Sequence, residues 1–187
     1  MKKSFVVMLM LLIFPLLSSA QVLLTGVTYQ VSIPLADTRD FITRPGWLGF
    51  GVDARRFIKP NLSLGLSFNW NVLRQTGKAG DDYQFRTIKA LPILFSGHYY
   101  LGRKKIFKPY LAISGGAYNI HKREEKTDAI TTDDTWHFGL VPELGFITWT
   151  RDYLALVGNV KYHYIFASGD AGAESYLSVG VGLLWAR

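Results

Sequence analysis

The chain has 187 residues, of which 49% are hydrophobic, 14% aromatic and 19% charged. That composition is too apolar and ring-rich for a disordered chain, and the length fits a single domain. Cysteine is absent, which excludes a disulfide framework, a Cys-ligated zinc or iron–sulfur centre and a thiol nucleophile.

Lys2 and Lys3 precede a 13-residue apolar run from Phe5 to Leu17, and Ser18, Ser19 and Ala20 follow with the small side chains of a cleavage site. Residues 1–20 therefore read as a secretory signal peptide, too short in its apolar part for the about 20 residues that cross a bilayer. Residues 21–187 remain as the mature domain. The formal charge of +7 loses Lys2 and Lys3 and falls to +5 on 167 residues. Export argues against a nucleic-acid partner despite the basic balance.

The mature chain then alternates with a period of two. Residues 24–33 set Val27, Tyr29, Val31 and Ile33 against Gly26, Thr28, Gln30 and Ser32, and residues 47–57 set Leu48, Phe50, Val52 and Ala54 against Gly49, Gly51, Asp53 and Arg55. From 62 to 72, Leu64, Leu66, Phe68 and Trp70 oppose Gly65, Ser67 and Asn69. A helix would mix these sets, so each segment is a strand. Segments 85–101, 108–120, 136–147 and 154–166 fit less cleanly, and 176–185 closes a set of eight. In 108–120 the apolar phase changes from odd (Leu111, Ile113) to even (Tyr118, Ile120) across Gly115–Gly116, where a β-bulge would repair it. The connections, about 13, 4, 12, 6, 15, 6 and 9 residues long, alternate long and short. An eight-stranded antiparallel up-and-down transmembrane β-barrel produces this series, with both termini at the short-turn rim. Most of these strands, at 10 to 13 residues, also suit the roughly 9–11 needed to span a bilayer at a tilt.

Alternation alone leaves two barrels open, a soluble lipocalin-like one with its apolar face inward and a membrane one with that face outward. The polar face is dominated by Gly, Ser, Thr and Asn rather than Lys and Glu, which suits a narrow filled lumen. Trp47, Trp70, Trp136, Trp149 and Trp185 fall at strand ends or in turns, with Tyr99, Tyr100, Tyr110, Tyr153, Tyr164 and Tyr176 near strand ends too. Such rings prefer the headgroup level, so the expectation is two interfacial belts of a membrane barrel.

The phrases GWLGFGVDARRFIKPNLSLGLSF (46–68), ALPILFSGHYYLG (90–102), KPYLAISGGAY (108–118), WHFGLVPELGF (136–146) and YLSVGVGLLW (176–185) together resemble the small eight-stranded outer-membrane β-barrel proteins, the porin-like family that includes outer membrane proteins X and W. The resemblance covers nearly all of the mature chain. It implies a cell outer membrane location in a Gram-negative bacterium, outer-membrane lipid and lipopolysaccharide as surroundings, and functions ranging from surface adhesion to passage of small hydrophobic molecules. It carries over no catalytic residues. Barrels of this kind often end in an aromatic residue, whereas Trp185 is followed here by Ala186 and Arg187.

Formal charge over the long connections sums to about −4 and over the short turns to +4. Asp128, Asp133 and Asp134 match no dedicated calcium loop, and solvated loop charge is the ordinary reading. His163, Ser168 and Asp170 form the one run that hints at a hydrolase, without a glycine-flanked nucleophile elbow; His137 and His163 lack a third ligand for a metal. Asp53, Arg55, Glu143 and Lys161 fall on the polar face of their strands, where charges in a narrow lumen must pair. They are the candidate lumen ionic network. If Arg151, Asp152 and Tyr153 make a three-residue turn, paired positions of strands six and seven sum to 304 and Glu143 stands opposite Lys161; a sum of 300 would instead oppose His137 and His163. The expected function is a non-enzymatic outer-membrane barrel whose long external loops meet an extracellular partner, with no cofactor and no metal. The alternatives are a narrow passage for small hydrophobic solutes, a lipid-modifying barrel enzyme and a soluble periplasmic lipocalin-like binder.

Overall fold

The computed structural model describes residues 22–79, 82–102, 106–126, 129–169 and 171–187; residues 1–20, where the sequence leads one to expect a signal peptide, lie outside them. Eight antiparallel strands close into one barrel in sequence order: β1 (Leu23–Leu35), β2 (Leu48–Lys59), β3 (Leu62–Ala79), β4 (Asp82–Tyr100), β5 (Phe107–Lys126), β6 (Ala129–Arg151), β7 (Leu154–Ile165) and β8 (Glu174–Ala186). A short helix, α1 (Ala36–Phe41), lies between β1 and β2. Closure pairs β1 with β8 from Leu24↔Ala186 to Leu35↔Ser175, so the barrel itself has no free edge, whereas β3 beyond Val72 and β6 before Gly139 are paired on one side only. Following partners round the wall from Thr25 through Ala54, Leu66, Phe95, Gly115, Leu140, Tyr164 and Ser175 returns to β1 at Leu35, a stagger of 35 − 25 = 10 residues. Stagger of this kind tilts the strands of a closed barrel.

The apolar face is outside. Val27, Phe50, Val52, Leu66, Phe68, Phe95, Ile113, Leu144 and Val181 are all exposed, whereas Gln30, Arg55, Asn69, Asn71, His98 and Lys161 are buried in the lumen. This is the reverse of a lipocalin-like barrel. The wall therefore offers hydrocarbon to lipid and encloses its polar groups.

β3 to β6 run 18, 19, 20 and 23 residues, against 12 or 13 for the other four strands. Pairing continues to Ala79↔Asp82 and Lys126↔Ala129, so the second and third long connections are extended hairpins rather than long loops. Polar sequence there masks the strand pattern, because both faces of a sheet beyond the bilayer meet water. The four long strands form a tall wall over one side of the barrel.

β5 also differs from expectation. It pairs with β4 and β6 with no break in register, so no bulge lies at Gly115–Gly116. Tyr118 and Ile120 are buried on the inward phase; the phase change reflects an apolar stretch of lumen, not a shifted backbone. Gly116 serves a different need, since a Cβ there would stand 2.0 Å from the Ile93 carbonyl oxygen.

Candidate functional site: a filled lumen beneath a tall wall

The lumen is filled in three layers. At the short-turn rim, Leu24, Tyr100, Tyr110, Ile147, Ala155, Val157 and Leu184 form one buried apolar cluster. Toward the tall rim, Leu73, Ile88, Leu94, Tyr118, Val141, Ile165 and Tyr176 form a second, which Ile42 enters from the connection after α1. Tyr100, Tyr110 and Tyr176, expected at the headgroup level, are thus inside the barrel. Their even-numbered strand phase turns the rings inward, and each hydroxyl has a polar atom within reach: Ser63 for Tyr100, Glu143 for Tyr110 and Asn71 for Tyr176.

Between the clusters lies the polar layer. β2 supplies Asp53 and Arg55 from alternate, inward positions, and β6 and β7 supply Glu143 and Lys161 as direct partners across their ladder. Arg55 grips Asp53 in a fork, Nε–Oδ1 at 2.8 Å and Nη2–Oδ2 at 3.1 Å. Its Nη2 also lies 3.8 Å from Glu143 Oε1, and Lys161 Nζ lies 3.9 Å from Glu143 Oε2. Tyr110 donates to Glu143 Oε1 at 2.6 Å and Asn159 donates to the same oxygen at 3.0 Å, while Arg55 stands over the Tyr110 ring at 5.0 Å. β2 and β6 face each other across the ring of eight, so the Arg55–Glu143 contact ties opposite walls together. Two cations meet two carboxylates, and the cluster is neutral. Tyr110 and Asn159 are members that sequence reasoning missed, although both share the polar face of their strands.

The register of β6 and β7 sums to 304 from Glu143↔Lys161 to Trp149↔Ala155. At the turn the ladder shifts to Arg151↔Leu154, which replaces the anticipated three-residue turn by Asp152–Tyr153 and leaves Thr150 in a bulge, its hydroxyl donating to the Leu154 carbonyl at 3.0 Å. A Glu143→Gln, Lys161→Met double-mutant cycle is expected to give a coupling of about 1 kcal/mol in urea unfolding from detergent; additive effects would show that Glu143 is held by Arg55, Tyr110 and Asn159 alone.

The tall rim is stitched shut by the first connection. Ala36, with φ of 40°, turns the chain from β1 into α1, and Ile42 is buried in the upper cluster. Thr38 donates to Glu174 Oε2 at 2.5 Å and accepts from the Ser175 amide at 2.9 Å. Glu174 also pairs with Lys122. Arg86 bonds Glu124 at 3.0 Å and donates to the Phe41 carbonyl at 3.1 Å. Thr38→Val removes both Thr38 bonds, one of them to a carboxylate, at about 1.5 kcal/mol. Amide hydrogen exchange over 36–42 should rise about tenfold while the midpoint of global unfolding moves little; unchanged exchange would show that the lid does not depend on Thr38.

The hydrolase candidates do not converge. Both nitrogens of His163 are committed, Nδ1 to the Tyr118 hydroxyl at 2.8 Å and Nε2 to Ser178 Oγ at 2.9 Å, and the ring stacks on Tyr176 at 4.2 Å. Ser168 lies in the β7–β8 connection, where its backbone bridges Ala171; Asp170 is outside the described residues. His137 contacts the Phe166 carbonyl at 2.9 Å, and the observed register does not oppose it to His163. Asp133 and Asp134 are consecutive on β6 and so point to opposite faces, Asp134 accepting from Asn119 at 2.7 Å; Asp128 lies outside the described residues. Among those residues no group of three or more metal-ligating side chains occurs.

Of the five tryptophans, Trp47, Trp70, Trp136 and Trp185 are exposed. The first three sit toward the tall rim and Trp185 near the other. Trp149 instead takes the inward phase of β6 and packs against the lower cluster.

No protein-family model matches the chain, and no curated protein matches it. Solved structures do. The attachment invasion locus protein Ail of Yersinia pestis superposes with a TM-score of 0.60 at 10% identity, over 90% of this chain and 100% of that one. Ail has also been solved in complex with the heparin analogue sucrose octasulfate, with a TM-score of 0.57, 9% identity and coverage of 89% and 97%. Neisserial surface protein A gives 0.62 at 14% identity, over 89% of this chain and 97% of that one. The fold is that of the small eight-stranded outer-membrane barrels, as the sequence phrases imply.

Proposed function

We propose that this protein is a non-enzymatic outer-membrane barrel that works through its tall wall, as a surface-contact or adhesion protein. The observation that carries this reading is the contrast between the two ends of its structure: the lumen is occupied layer by layer by buried side chains, while β3 to β6 extend well past their neighbours as a four-stranded wall. Extra strand length of this kind adds nothing to bilayer crossing, for which roughly 9–11 residues suffice. It adds area for a partner. On the wall's outward phase Arg74 and Lys89 lie above the Trp70 and Trp136 level, where cations meet lipopolysaccharide phosphates. Ail, with the same fold, takes a polysulfated heparin analogue, which favours an extracellular ligand for the present wall as well.

The reading is tested by shortening the two hairpins, residues 76–85 and 123–132, each to a two-residue turn. A non-adherent Gram-negative host displaying the full barrel should bind cells or matrix, and the shortened barrel should not, while both keep the unboiled gel mobility of a closed barrel. Equal attachment by both would overturn the proposal. Planar-bilayer recording is expected to give no large, stable conductance, because side chains fill an eight-stranded interior; porin-sized steps would favour the passage alternative.

A further inference from the structure

We propose that the short-turn rim holds a binding cup for an anionic single-chain amphiphile, a molecule with an acyl tail and a carboxylate head. A cavity of about 1030 Å³ opens there, at the top of the roughly 300–1,000 Å³ range of small-molecule sites. Its walls come from the turns and ends of β1, β2, β4–β5, β6–β7 and β8. Phe57 and Trp149 line it and also pack against the lower apolar cluster, so the floor is hydrocarbon and closed. The cup leads nowhere, which makes it a binding site rather than a channel mouth.

Charge decides the head group. Lys59, Lys108, Arg151 and Arg187 line the cavity, with Asp152 the lone acidic side chain among the described lining residues. Lys108 holds its ammonium 5.8 Å from the centre of the Phe57 ring, placing a cation at the lip of an apolar wall. A site that offers hydrocarbon below and several cations above matches a molecule built the same way round, tail down and anion up. A neutral lipid would offer the cations no opposite charge, and a compact anion would leave the floor wet. The inference uses the rim opposite the tall wall and does not depend on what that wall binds.

The test titrates octanoate into the full mature chain in maltoside micelles and follows backbone amide shifts by NMR. Saturable shifts are expected at 57–59, 106–108 and 149–152, without matching shifts at lipid-facing Val179 and Val181. 1-Octanol, with the same tail and no charge, should bind at least tenfold more weakly, and acetate should give no shift at equal concentration. Decanoate should bind more tightly by about fourfold for each added methylene. The Lys59→Gln, Lys108→Gln, Arg151→Gln triple variant should lose octanoate affinity at least tenfold and retain its response to octanol. Equal binding of octanol and octanoate by the unaltered protein would overturn the proposal whether or not the variant folds. So would shifts confined to lipid-facing positions, or undiminished octanoate binding by the folded variant.

Discussion

Arg55→Met is expected to destabilise the barrel by about 3–5 kcal/mol, the range for breaking a buried ion pair from one side. Arg55 is fully buried and contacts both carboxylates of the lumen, Asp53 through a two-bond fork and Glu143 across the barrel. Its removal leaves two buried carboxylates with Lys161 as the remaining cation of the cluster, 3.9 Å from Glu143. Methionine keeps much of the side-chain volume, so the loss is electrostatic rather than a cavity. Adding Asp53→Asn restores neutrality, with Glu143 and Lys161 as the remaining charges, and should recover about half of the deficit. Urea unfolding in lipid vesicles, followed by gel mobility without boiling, measures both. A single-variant loss under 1 kcal/mol would mean that water or bilayer deformation compensates the charge and that the network does not clamp the walls.

Gly116→Val should be nearly as damaging, at about 3 kcal/mol or more, above the 1–3 kcal/mol usual for overpacking. A Cβ on Gly116 would stand 2.0 Å from the Ile93 oxygen and 3.0 Å from Leu94 Cα. These are backbone atoms of the paired strand β4, which cannot yield without opening the ladder. The neighbouring Gly115 is the internal control: its Cβ would meet the Leu140 side chain at 3.2 Å and Phe138 at 3.5 Å on the lipid side, where rotamers and lipid give way. Gly115→Ala should cost under 1 kcal/mol. Equal losses at both positions would indicate that glycine is needed for backbone freedom in β5 rather than for close approach.

These two glycines mark where sequence reasoning stops. The pair looked like a bulge because the apolar phase changes across it, a sound inference if the lumen were polar throughout. The lumen carries its charged network in the middle layer, and the layers above and below it are largely apolar. Tyr118 and Ile120 are apolar residues facing inward, and they pack with Leu73, Ile88 and Ile42 against α1's end of the barrel. Two-residue periodicity reports which residues share a face; it does not report what that face meets at each height. The same limit explains Tyr100, Tyr110 and Tyr176, whose nearness to strand ends fits a headgroup belt and a lumen plug equally well, and whose strand phase selects the plug.

Strand number, order and most of the β6–β7 register follow from local information. Period-two alternation identifies the strands, and their even number in one short chain fits an up-and-down path, although two of the four long connections are themselves paired strand. The position of one turn aligns Glu143 with Lys161 even though the turn itself tightens by a bulge, because the bulge absorbs the difference of one residue. By contrast, three features needed closure of the sheet. Arg55 reaches Glu143 because a barrel of eight strands places β2 opposite β6, a distance no linear pattern encodes. Thr38 seals the mouth because β8 returns beside β1, bringing Glu174 and Ser175 under α1. The tall wall forms because polar segments with no periodic signature pair with neighbours already held in register. Alternation is a property of one strand and is written along the chain; contacts across the lumen depend on stagger and closure, which exist only when all eight strands have met.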